Sequence, residues 1–143
     1  MNLSLELVII PVADVDRAKE FYVDKMGFNL DVDHQPNESF RVVQMTPPGS
    51  ACSITVGVGV SDAEPGSVRG THLCVGDIEE TRAELVARGV DISEPFHFGE
   101  AGQTPGVHPE RADYGTFASF SDPDGNTWLL QEVSRVSKEE GTS

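Results

Sequence analysis

With 143 residues and 38% hydrophobic side chains, the chain has the size of one ordinary domain and enough apolar material for a packed core, which excludes a disordered protein. Its 24 Asp and Glu against 10 Lys and Arg give a net charge of −14, a surface that repels both nucleic acid and anionic membranes. No apolar run approaches the roughly 20 residues that span a bilayer, MNLSLELVIIP lacks the basic region and cleavage site of a secretory leader, and Cys52 and Cys74 read as reduced thiols, so a cytoplasmic protein is expected.

The first element is a strand, LELVIIPV (5–12), rich in β-branched residues. Asp14 follows as the N-cap of a helix, its carboxylate suited to the free N–H groups and positive end of the first turn. That helix carries Val15, Ala18, Phe21, Tyr22 and Met26 on one stripe and ends at Gly27. A short strand, FNLDV, precedes a hairpin, FRVVQMTPPGSACSITV (40–56), and SDAEPGS (61–67) is a linker. The order then recurs. THLCV (71–75) is a strand, Asp77 caps a helix bearing Ile78, Thr81, Leu85 and Val86, Gly89 ends it, and GVDIS is a short strand. The hairpin FASFSDPDGNTWLLQEV closes on DPDG, where Pro123 sets φ, Gly125 permits a left-handed backbone and the two aspartates bond local N–H groups. That turn is read as structural.

A shift of 63 lays Val12 on Val75, Asp14 on Asp77, Val15 on Ile78 and Val23 on Val86. The chain is therefore read as one α+β domain, 1–143, built from two βαβββ modules, 3–60 and 68–134, with a polar tail at 135–143. Each module alone leaves one sheet face uncovered. Paired, they predict a curved mixed sheet around a cleft, with the helices outside.

Strand alternation sorts the side chains. Leu5, Leu7, Ile9, Ser53, Thr55, Gly57, Gly70, His72, Cys74, Leu129 and Gln131 are expected to face the cleft, with Gly57 and Gly70 leaving space. Val8, Ile10, Val12, Leu73 and Val75 are expected under the helices, and Trp128 away from the cleft. Such a lining suits an uncharged, partly aromatic organic molecule. One long segment, 96–115, has no equal in the first module and is read as a loop able to cover the cleft. Phe96, His97, His108 and Tyr114 are its expected ligand contacts, while Arg111 suits an anionic group or the acidic surface. Cys74 and His72 share a strand face, but no cationic neighbour is evident to activate the thiol, so packing is the preferred reading.

VADVDRAKEFYVDKMGF, GDIEETRAELVARGV and FASFSDPDGNTWLLQEV, in that order, resemble the vicinal oxygen chelate superfamily of glyoxalases, extradiol dioxygenases, fosfomycin-resistance enzymes and bleomycin-binding proteins. The resemblance runs from about Leu3 to Val133 and implies the glyoxalase/bleomycin-resistance/dioxygenase fold. It also implies metal-ligand positions on the first and last strand of each module. Counted onto this chain they fall on Leu7, Gly70, Leu129 and Thr55, or Ser53 in another hairpin register, and none is a good divalent-metal ligand. No metal and no cofactor is therefore expected. His72 is the one residue that a register change would bring to a ligand position. The expected protein is a metal-independent binder of a small hydrophobic or aromatic molecule, with a homodimer implied by the family. The alternative is a lyase-, isomerase- or dioxygenase-type enzyme using His72 and the loop histidines, with or without a metal.

Overall fold

A computed structural model describes residues 1–136, so most of the predicted polar tail lies outside the described residues. These residues form two compact units. The first holds Met1–Val68 together with Asp122–Asn126, and the second holds Arg69–Ser121 and the chain from Thr127 onward. Among the described residues no helix is long and apolar enough to cross a membrane.

In the first unit, β1 (Leu7–Ile9) leads to α1 (Val15–Lys19), and the helix runs on as a π-helical segment, Glu20–Lys25. β2 (Asn29–Asn37), β3 (Phe40–Thr46) and β4 (Ser53–Val58) complete a four-stranded sheet in the order β1-β4-β3-β2. β1 runs parallel to β4, and the other pairs are antiparallel. Asp14 caps α1 by accepting from Arg17 N at 3.0 Å, as predicted. The apolar stripe of this helix, including Val15, Ala18, Phe21 and Tyr22, is buried, as are Val43, Met45, Ile54 and Val56 on one face of the sheet. The π segment is a departure from the predicted regular helix: Met26 N donates to Phe21 O, five residues back. β2 is also longer than FNLDV, because most of the following residues pair with β3.

The turn Asp122–Asn126 belongs to this unit and is the structural device the sequence indicates. Asp122 Oδ1 accepts from Asp124 N and Asn126 N, and its Oδ2 accepts from Tyr22 Oη at 2.8 Å and Asn126 Nδ2 at 2.9 Å. Asn126 Nδ2 donates also to Pro11 O. Four bonds hold one buried carboxylate, which leaves it no capacity for chemistry.

In the second unit the sheet order is β5-β9-β8-β6-β7, from β5 (Thr71–Val75), β6 (Phe96–Gly99), β7 (Gly102–Pro105), β8 (Thr116–Ser121) and β9 (Thr127–Glu132). β5 and β9 are parallel. α2 (Ile78–Ala87) is capped by Asp77, whose carboxylate accepts from Glu80 N, and it packs on β8 and β9. The strand expected at GVDIS is reduced to a single bridge, Ile92 to Phe120. The segment read as a loop from 96 to 115 begins as the hairpin β6–β7, and β6 pairs with β8 in the place that β2 holds beside β3. Both units thus present a helix, a parallel outer strand and antiparallel strands in the βαβββ order.

Candidate functional site

β8 and β9 alternate strictly. Trp128, Leu130 and Glu132 are buried with Thr116, Ala118 and Phe120, while Leu129, Gln131, Phe117 and Ser119 stay partly open. Register sets Phe117 opposite Gln131 and Ser119 opposite Leu129. On the other side of β9, His72 stands opposite Leu129 and Cys74 opposite Gln131. These six side chains therefore share the face that α2 does not cover. β6 adds Phe96, opposite Phe117, and Phe98 two residues on.

The rings of this face touch one another. Phe96 and Phe117 stack at 5.8 Å, and Phe98 meets Phe117 edge-on at 5.6 Å and Phe96 at 6.0 Å. His72 stands edge-on to Phe117 at 6.3 Å. Phe98 is 60% exposed and His72 is exposed as well, so the wall presents ring surface outward. Each such pair contributes about 0.5–1.5 kcal/mol beyond area burial, enough to keep the rings arranged while a face remains open.

The polar groups of the face are oriented by backbone carbonyls. His72 Nδ1 lies 2.6 Å from Gly70 O, and a carbonyl only accepts, so Nδ1 is the donor of that contact. Gln131 Nε2 donates to Tyr114 O at 3.2 Å. Tyr114 is 53% exposed, with φ of 67°, and its N donates to Glu132 O at 2.8 Å. Arg135 Nη2 lies 3.9 Å from Cys74 Sγ, a weak cationic neighbour that the sequence did not reveal.

Of the residues predicted for ligand binding, His72, Cys74, Leu129 and Gln131 come together on this face, with Tyr114 at its margin. His97 and His108 do not. His97 stands opposite Thr116, one residue out of phase with Phe96, and therefore on the other face of the sheet. His108 is beside it, the rings 5.9 Å apart, and its N donates to Thr116 Oγ1. The loop reading concealed this, because strand parity applies only once 96–99 is a strand. Phe98 and Phe117 were missed; alternation within TFASFS carried the clue, since Phe117 is in phase with Gln131 across the hairpin.

Leu7 and Thr55 lie in the first unit. Leu7 pairs with Ser53 and Ile9 with Thr55, so the four share the sheet face opposite Ile54 and Val56. Thr55 Oγ1 is buried and has no hydrogen-bond partner among the described residues. Leu5 falls outside β1 and is 68% exposed. Gly57 offers no space, because a Cβ there would stand 2.0 Å from Arg41 O; the glycine serves close backbone approach. Gly70 does border open space, but it precedes β5 with φ of 74°. A depression of about 340 Å³ in this unit is lined by Ile10, Pro11, Val12 and the 57–65 segment, away from Leu7 and Thr55.

Strand register also revises the ligand positions. Ser53 and Leu129 each stand four residues after a turn glycine, Gly49 and Gly125. Their parallel partners are Leu7 and His72, so His72 takes the place counted onto Gly70. Leu7 and Ser53 in the first unit offer neither imidazole nor carboxylate, and His72 and Leu129 in the second offer one imidazole and no carboxylate, so neither pair fits a divalent cation. Among the described residues no group of three or more His, Cys, Asp and Glu is placed to hold a metal ion.

Residues 4–130 match the family model of the Glyoxalase/Bleomycin resistance protein/Dioxygenase superfamily, and the chain belongs to that superfamily. Among solved structures it resembles TnmS3, an antibiotic binding protein from Streptomyces sp. CB03234, with 35% identity and a TM-score of 0.73, over 94% of this chain and 99% of that one. It also resembles a superfamily member from Sphaerobacter thermophilus DSM 20745, with 30% identity and a TM-score of 0.70, over 92% of this chain and 98% of that one. The protein YetH of Bacillus subtilis (strain 168) is 28% identical over 136 residues, 92% of this chain and all of YetH.

Proposed function

We propose that this protein is a metal-independent binder of a small, uncharged aromatic molecule, held on the ring-lined face of its second sheet. The observation that carries the reading is the half-open wall of Phe96, Phe98, Phe117 and His72, bordered by Leu129 where a metal-dependent relative is expected to hold a carboxylate. Ring surface of this kind binds a flat apolar guest by stacking and by release of water. The likeness to an antibiotic binding protein supports the same class of activity. An enzyme built on His72 and the loop histidines has less support, since His97 and His108 occupy the opposite sheet face. A homodimer is proposed from the family resemblance, and a cytoplasmic location from the two free thiols, Cys52 and Cys74.

Thermal shift and calorimetric titration with uncharged bicyclic and tricyclic aromatics test the reading. A guest at a hundred times its Kd stabilises the folded chain by about 2.7 kcal/mol. Phe117→Ala is expected to weaken binding at least tenfold, and prior chelation with EDTA to leave it unchanged. The proposal falls if no aromatic compound raises the melting temperature, or if binding requires an added divalent ion.

A further inference from the structure

We propose that the guest carries an uncharged carbonyl oxygen beside its aromatic ring, as an aryl ketone does, and that Arg135 takes up this oxygen at the β5 margin of the ring-lined face. The inference rests on the proposed binding of an aromatic molecule at that face and narrows its chemical class: the rings select a flat guest, and Arg135 selects its substituent.

Arg135 differs from other guanidiniums of the second unit. Arg82, Arg88 and Arg111 each grip a carboxylate, that of Glu94, Glu84 and Glu132 respectively. Arg135 instead is exposed, with Nη2 3.9 Å from Cys74 Sγ, and its pKa is raised chiefly by a side-chain hydrogen bond to Tyr114. The nearby Asp113 carboxylate is taken by Ser134, whose N and Oγ donate to it at 2.8 and 3.1 Å. A guanidinium carries five N–H donors and no acceptor. One thiol and one phenol do not exhaust them.

Register puts these donors at the end of a row. Phe117 stands opposite Gln131, and Gln131 opposite Cys74, across β8, β9 and β5. Arg135 borders the Cys74 end, and the stacked rings of Phe96 and Phe117 form the other. A flat guest lying along the row has hydrocarbon under one end and a guanidinium at the other. The polarity of that second contact is fixed by chemistry. The Gln131 amide and the Ser119 hydroxyl hold both donors and acceptors and adapt to what they meet, whereas a guanidinium can only donate. A carboxylate would also satisfy it, but an anion must approach a chain of net charge −14, against which one exposed and solvent-screened cation offsets little. A neutral carbonyl meets the same donors without that repulsion.

Equilibrium dialysis with 2-acetylnaphthalene, 2-isopropenylnaphthalene and 2-naphthoate tests the assignment. The first two share one shape and differ by a carbonyl oxygen exchanged for a methylidene group, and the third presents its acceptor as an anion. Each is measured on the full chain and on Arg135→Met, which keeps an unbranched apolar stem at this exposed position. The preference for the ketone over the hydrocarbon is expected to fall at least threefold in Arg135→Met, while the affinity for the hydrocarbon changes less than twofold. The acid is expected to bind the parent less tightly than the ketone does. An unchanged preference overturns the role of Arg135 and leaves aromatic binding standing on the hydrocarbon. Tighter binding of the acid than of the ketone overturns the uncharged class. If none of the three binds, aromatic binding and the carbonyl rule fall together.

Discussion

Arg111→Ala is expected to unfasten the 106–115 segment from the sheet. Arg111 Nε and Nη2 grip Glu132 Oε1 and Oε2 at 2.9 and 2.6 Å, and Glu132 Oε2 also accepts from Ile78 N at 2.9 Å, at the start of α2. Removal of Arg111 leaves a carboxylate whose side chain is only 8% exposed with one remaining donor. Breaking a fully buried pair costs about 3–5 kcal/mol. The guanidinium here is 40% exposed, so solvent screening reduces the expected loss to about 2 kcal/mol. For a chain of this length that is a fall in Tm of about 6–8 °C. The pH dependence gives a second readout. Arg111 is the main reason that the Glu132 carboxyl is held below its usual value of 4.5. A lowered folded-state pKa contributes stability that is present above the unfolded value and lost as pH falls through the folded one. The difference in Tm between the parent and Arg111→Ala should therefore be full at pH 7 and shrink below about pH 4.5. Calorimetric melting at pH 7 and pH 3.5 measures both. A loss at pH 7 below about 0.5 kcal/mol, or an equal loss at both pH values, refutes this account of the ion pair.

Two further substitutions probe the scaffold. Gly57→Ala places a Cβ 2.0 Å from Arg41 O and should cost about 3 kcal/mol or more, whereas Gly70→Ala meets no atom within 4 Å and should cost only the left-handed backbone term of about 1–2 kcal/mol. Urea unfolding ranks them, and equal losses would contradict the close approach at Gly57. Tyr22→Phe removes the hydroxyl that donates at 2.8 Å to the buried Asp122 carboxylate, for an expected loss of about 1.5–3 kcal/mol. A change within 0.5 kcal/mol in the same unfolding assay would show that this bond is not a net support of the turn.

How much of this was legible follows the range of each interaction. Asp14 and Asp77 were readable as caps because a cap is a three-residue event, and both bond the expected N–H. The DPDG turn was readable for the same reason. Register was not, because it depends on pairing between distant strands. The shift of 63 aligns the two helix caps, yet the strands obey a different offset: Leu7 stands seven residues before its cap and His72 only five before its own. The two extra residues lie in the first strand-to-helix connection, so a count from the caps reaches Gly70 when the sheet selects His72. Parity of the 96–99 segment failed likewise. Nothing local marks FHFG as a strand until it pairs with β8 and β7, and only then do Phe96 and Phe98 separate from His97.

That separation gives the second sheet two unlike sides from one alternation. On β9, Glu132 faces α2, where Arg111 and Ile78 N hold it, and its neighbour Gln131 faces the rings. Both are tied to the same strap: Arg111 reaches the carboxylate from one side, and Tyr114 O receives the Gln131 amide from the other. Between these anchors the backbone adopts positive φ at Arg111 and Tyr114, 50° and 67°, a conformation that costs non-glycine residues about 1–2 kcal/mol each. Such strain persists only where surrounding bonds over-determine it. The half-buried ion pair and the Tyr114 N to Glu132 O bond supply that excess. Their consequence on the ring-lined face is a Gln131 amide held in place by one N–H bond to Tyr114 O, so a charged contact on the helix side helps to position a polar group on the opposite side.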